Sequence, residues 1–243
     1  MPFTFSHAAI VLPFNRVKSF SITGLIAGSI APDFEYFIRM TDKKVFTHTW
    51  SGLLWFDTPL AILLTFLFHN LVRNQLILNA PINFQRRFKR YEYFNWTLYF
   101  KKRWFPIIIC VIIGIISHLL WDGFTHETGL FVKYFPFLTA SISLTSFQIE
   151  VHTLFQVLSS IIGGLIIFYA LWQLPVDPKT NINPYNLPFW KKVFLVTGII
   201  FVLRLMVNVS YEIEDIIIPA VSAFLFGLVI ISTLVKGKNQ PRL

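Results

Sequence analysis

The segment SHLLWDGFTH, residues 117–126, carries the sharpest chemical signal in the chain. His118 and Asp122 are four residues apart, so on a helix they share one face and can chelate one cation. His126 follows four further on, and Gly123 and Gly129 predict that the helix ends nearby. The plain alternative is a satisfied polar pair that joins two helices, since such i, i+4 pairs are common. A second cluster, APDFEY at residues 31–36, puts Asp33 and Glu35 just after an apolar run, where capping or solvation would also account for them. His48 in FTHTW and His7 in FSHAAI complete the set. A lone histidine in either place is more often structural than a ligand.

The elements that must position these residues are membrane-spanning helices. Of 243 residues, 55% are hydrophobic and only 14% charged, with a mean hydropathy of +0.62. A soluble domain carries about 25% charged residues. Disorder and collagen-like repeats are excluded by the high apolar content and only 11 glycines. Five segments, about 52–70, 105–121, 154–174, 192–210 and 216–235, are long and apolar enough to cross a hydrocarbon core, which takes roughly 20 residues. The expected fold is all-α: a polytopic bundle of about five spans with an amino-terminal polar or half-membrane segment over 20–38. In that segment Ser21, Gly24, Ala27, Gly28 and Ala31 recur at spacings that let another helix approach closely. A full span through Ile38 would have to carry Asp33 and Glu35 into lipid, at considerable cost. Residues 1–170 are expected to hold the site, and 171–243 a loop plus two further spans. The start has no basic region ahead of its apolar stretch and is interrupted by Pro13, which is unlike a secretory leader. Cys110, the single cysteine, lies in an apolar run.

The formal charge of +9 would suggest nucleic acid in a soluble protein, but here the charges sit in loops and report orientation. Residues 70–104 hold eight basic residues against Glu92 alone, and 122–153 hold only Lys133 against Asp122, Glu127 and Glu150. The turn at 210–215 is purely acidic, and the tail after Val235 is purely basic. Five alternating spans put every basic loop on one side, which the positive-inside rule makes cytoplasmic, together with the carboxy terminus. The aromatic residues interleaved among the cations of 70–104 fit an interface with anionic headgroups better than a base-stacking surface, so no nucleic-acid partner is expected. With this topology, His48 and the 118–126 motif meet at the non-cytoplasmic face, and Asp33 can reach it without crossing. Two or three histidines and two aspartates at one level suit zinc or a similar borderline metal.

FSH near the start, APDFEY, THTW and SHLLWDGFTH together resemble an uncharacterised bacterial membrane family. That family is similar to the LexA-regulated, membrane-bound metal-dependent hydrolases of the inner membrane, and distantly to zinc-dependent phospholipase C and P1-type nucleases. The resemblance covers roughly residues 1–170. It implies that His7, Asp33, His48, His118 and Asp122 are metal ligands, with Asp122 bridging, and that His126 matches a further histidine of the phospholipase-like group. Two departures stand out. The soluble enzymes ligate through an amino-terminal Trp, whereas this chain begins Met1-Pro2, and their later HxxxE or HxxxD is here His152 with Gln156. One or two metals fit better than three.

The expected activity is therefore metal-dependent hydrolysis at the non-cytoplasmic face of the bacterial inner membrane. Zinc, or alternatively manganese, would activate water, Glu35 or His126 would move protons, and a lipid or other phosphoester would be the substrate among membrane lipids. A non-enzymatic protein that handles ions, or whose His and Asp residues pack or hold a structural metal, remains the alternative. Asp57 and Arg204, ionisable groups within expected spans, keep that alternative open. Asp57 could also support a ligating histidine, and Arg204 needs a partner such as Glu212, Glu214 or Asp215. His69 reads as an interfacial residue.

Overall fold

The computed structural model describes residues 3–43, 45–144, 147–178, 182–207 and 213–239. It is predominantly helical, as the apolar runs require, because a backbone in lipid must bond to itself. Among the described residues, four helices are long and apolar enough to cross a membrane: Trp50–Asn79, Trp96–Thr125, Val151–Trp172 and Glu214–Lys236. The expected span at 192–210 corresponds to the 19-residue helix Leu187–Leu205, which carries Lys191, Lys192 and Arg204. The rest of that span, 208–210, lies outside the described residues. An addition to the helical plan is the antiparallel hairpin of Ser141–Leu144 and Phe147–Glu150, which pairs Ser141 with Glu150 and Leu144 with Phe147.

The chain divides into two compact units. The first comprises Met1–Asp33, Phe46–Ile62 and Arg103–Gln173, and the second comprises Phe34–Val45, Leu63–Lys102 and Leu174–Leu243.

In the first unit, the nine-residue helix Ile22–Ile30 is too short to cross a bilayer, at about 14 Å. Ser21 caps it by accepting from the Gly24 amide at 3.2 Å. It lies against Trp96–Thr125 so closely that a β-carbon at Gly28 would collide with the Val111 carbonyl, and one at Gly114 with the Leu25 carbonyl. The small-residue stripe thus brings two backbones together, over a core of Val11, Leu25 and Cys110. Pro106 cannot donate to the preceding turn, and Trp96–Thr125 bends at Arg103, whose φ is −135°. The Arg103 guanidinium donates to the carbonyls of Ser19, at 2.8 Å, and Lys18. The amino-terminal turn Thr4–His7 lies along Val151–Trp172, where Ser6 Oγ donates to the Ser160 carbonyl at 2.7 Å.

In the second unit, Val72, Phe189, Val193, Leu228 and Ile231 form a core. His69 stacks on Trp96 at 4.7 Å and accepts from Arg73, whose guanidinium also reaches the Glu92 carbonyl. Arg204 donates to the carbonyls of Met40 and Val207, and Glu212 lies outside the described residues.

Candidate metal centre

Four of the expected ligands, Asp33, His48, His118 and Asp122, converge within the first unit. Each arrives by a different local device. Asp33 closes the short turn Ala31–Asp33 that follows Ile22–Ile30 and is fully buried. His48 sits two residues before the Trp50 helix, whose first turn is capped by Thr49 Oγ1 accepting from the Gly52 amide. Its φ is +61°, a left-handed conformation that costs a non-glycine residue about 1–2 kcal/mol. That geometry turns Nδ1 towards Thr47 Oγ1, at 3.0 Å, and aims Nε2 at the two carboxylates. His118 and Asp122 share one face of Trp96–Thr125, as their spacing requires.

The separations within the group are nearly uniform. His48 Nε2 lies 3.4 Å from His118 Nε2, 3.5 Å from Asp33 Oδ1 and 3.2 Å from Asp122 Oδ2. His118 Nε2 lies 3.5 Å from Asp33 Oδ1 and 3.3 Å from Asp122 Oδ2. Charge-assisted N–H···O bonds would be shorter, at about 2.7–2.9 Å. Four donors arranged tetrahedrally at bond lengths of about 2.0–2.2 Å have edges of about 3.3–3.6 Å, and five of the six edges fall there within about 0.1 Å.

The proton inventory agrees. His118 Nδ1 donates to the Ser29 carbonyl at 2.8 Å, an obligate acceptor, so a neutral ring presents a lone pair at Nε2. Neither oxygen of Asp33 accepts a hydrogen bond, although both are buried. Once both rings give up their Nε2 protons, two carboxylates and two imidazole lone pairs face one point and need positive charge between them. The donor set could therefore hold a divalent cation, and the residues fit one.

The other oxygen of Asp122 faces a second pair of imidazoles. Oδ1 is buried without a hydrogen bond and lies 3.5 Å from His7 Nε2 and 3.5 Å from His126 Nδ1. His7 reaches it from the amino-terminal turn and stacks on the His118 ring at 4.0 Å. Burial first, and then the neighbouring His118, lower the His7 pKa to about 4, which keeps its ring neutral. For His48, burial alone would act in the same direction, but the facing carboxylates of Asp122 and Asp33 outweigh it and raise the pKa. Gln156 Nε2 donates to His126 Nε2 at 3.1 Å, which leaves the proton of the neutral His126 ring on Nδ1.

Glu35 is placed differently from the expectation of a proton carrier. Its Oε1 accepts from Arg39 Nε at 2.7 Å and from the Val45 amide at 3.0 Å, all three residues being in the second unit. His152 is buried, with Nδ1 at 3.2 Å from the Leu138 carbonyl, and Asp57 is buried in a widened helical turn, Leu53–Asp57. The contributions of Ser29 and Thr47 rest on tertiary placement, and no sequence signal marks them. Gln156 had a weak signal, as the residue four beyond His152.

The fold and site define a helical protein with, among the described residues, four helices long and apolar enough to cross a membrane and a buried His/Asp cluster that could hold a metal ion. The chain matches the model of a domain of unknown function, DUF4184, over residues 1–233, and it belongs to that family. No curated protein and no solved structure matches it.

Proposed function

We propose that this protein is a metal-dependent hydrolase built around two adjoining cation positions that share Asp122, and that it acts on a lipid or other phosphoester at the non-cytoplasmic membrane face. The observation that carries this reading is the set of near-equal 3.2–3.5 Å separations among His48, His118, Asp33 and Asp122. Four protein donors close a tetrahedral shell, the arrangement of a structural metal. For a second cation His7 and Asp122 Oδ1 supply only two donors, so open positions there can take water or substrate. A zinc-like cation would lower the pKa of bound water to about 7 and polarise a phosphoryl oxygen, and manganese would serve similarly. His7 and Asp122 orient the reacting groups, while His126, held by Gln156, takes or returns the proton. Resemblance to the metal-dependent hydrolases supports the same reading.

Metal analysis of the purified protein tests it. The wild type is expected to hold about two equivalents of zinc or manganese, His7→Ala about one, and Asp122→Asn none. A wild-type protein that binds no cation after reconstitution would overturn the proposal. The closed shell also favours a second reading, a purely structural cation. In that case His7→Ala would leave the metal content unchanged, and no phosphoester would be hydrolysed.

A further inference from the structure

A cavity of about 250 Å³ opens beside His126, between the amino-terminal turn and the Val151–Trp172 helix, entirely within the first unit. One wall is a single stripe of that helix: Gln156, Ser159, Ser160, Gly163 and Ile166 recur at helical spacing. From Gln156 to Ile166 the stripe runs ten residues, about 15 Å. Its chemistry changes along that length. His7, Asp122 and His126 line the cavity, His126 beside Gln156, while Phe3 stands against Gly164 and Ile10 and Ile166 add apolar lining. The serines between offer little to a ligand. Ser160 Oγ donates to the Gln156 carbonyl at 2.8 Å, and Ser159 Oγ donates there too while accepting from Trp121 Nε1. Gly163 lets the amino-terminal turn seat closely, since a β-carbon there would lie 2.8 Å from Ser6 Cβ.

The same helix is the least covered of the four membrane helices: 6% of its apolar window is buried, and Ile162 and Leu165 stand more than half exposed. A ligand can therefore enter sideways from the hydrocarbon phase. The volume is below the usual range of about 300–1,000 Å³ for a drug-sized ligand, which leaves room for one chain beside a small headgroup.

We infer that this cavity binds a single-chain amphiphile, with its phosphoester head at His126 and Asp122 and its hydrocarbon chain along Gly163 and Ile166 towards Phe3 and Ile10. The headgroup assignment rests on the metal-site reading above, whereas the chain groove stands on the cavity itself. The volume takes one chain, so a lysophospholipid or an isoprenoid phosphate monoester is the class of substrate that fits.

The test uses the full chain in nanodiscs of diacyl phosphatidylcholine and a single-chain alkyl phosphate carrying a diazirine at the chain end. After irradiation, adducts are expected on Phe3, Ile10 or Ile166, competed by unlabelled alkyl phosphate but not by diacyl phosphatidic acid. Ile162→Trp, at the cavity wall, should cut the labelling about tenfold. Leu165→Trp, on the outward face, should leave it unchanged. Adducts spread over the outward residues of the helix and indifferent to Ile162→Trp would overturn the groove, as would equal competition by the diacyl lipid. Metal content measured on the same samples separates the two readings. Localised adducts on a cation-free protein would overturn the hydrolase and the headgroup assignment, while dispersed adducts on a metal-loaded protein would overturn the groove alone.

Discussion

Asp33 shows how strongly a single residue can be committed to a ligand. Its carboxylate is fully buried and accepts no hydrogen bond, and the nearest imidazole nitrogens stand at 3.5 Å. Burial of a charge on these terms costs several kcal/mol unless a cation offsets it. Replacing Asp33 with Asn keeps the shape and removes the charge. In chelator, the Asp33→Asn variant is expected to melt at the same temperature as the wild type or above it. With zinc added at about a hundredfold excess over its dissociation constant, the wild type should gain about 2.7 kcal/mol and the variant nothing. Thermal unfolding of both proteins with and without zinc measures this. A variant equally destabilised in both conditions would show that Asp33 packs and does not ligate.

At the scale of elements, the site depends on the approach of Ile22–Ile30 to Trp96–Thr125, because that contact carries the Ser29 carbonyl to His118. Gly28→Ala would drive a methyl group into the Val111 carbonyl, and since backbone stands on both sides the helices must part. The expected cost is about 1–3 kcal/mol, together with reduced metal occupancy, although Gly28 touches no ligand. Gly198→Ala, with nothing within 4 Å, is the control and should change neither quantity. Melting temperature and metal content of the two variants decide the matter. Unaltered metal binding in Gly28→Ala would mean that the site is positioned independently of this contact. This element was legible in the sequence because small residues at helical spacing have few other uses in an apolar helix. The His118/Asp122 pair was legible for the same reason, its spacing naming one helical face. The bonds of Glu35 to Arg39 and the Val45 amide were legible only in part, the i, i+4 spacing naming Arg39 but nothing naming Val45. The hairpin at 141–150 was hidden because a short alternation of apolar and polar residues is weak against a background so apolar. The contact of Gln156 with His126, and the cavity beside it, need Val151–Trp172 to lie along His126, a contact across 30 residues that spacing does not encode.

For the whole molecule, the distribution of charge makes a prediction that the apolar helices alone do not. Eight basic residues between 70 and 104 against one acidic residue, and the reversed balance over 122–153, place the connection before Trp96–Thr125 in the cytoplasm and the connection after it outside. The chain is convenient for testing this, because Cys110 is its only cysteine and is buried, so the background labelling is low. Tyr93, 88% exposed, and Tyr134, 73% exposed, lie on the two connections. With membrane-impermeant maleimide on intact cells, a Tyr134→Cys variant should be labelled at once, and a Tyr93→Cys variant only after the membrane is permeabilised. The result bears directly on function, because His126 and Gly129 immediately precede the Tyr134 segment and the cluster lies at that end of Trp96–Thr125. Labelling of the Tyr134 position from outside would put substrate and metal supply in the extracytoplasmic space. The opposite pattern would place the cluster among cytoplasmic metabolites and remove the outer-leaflet lipids as substrates, while leaving the metal geometry intact.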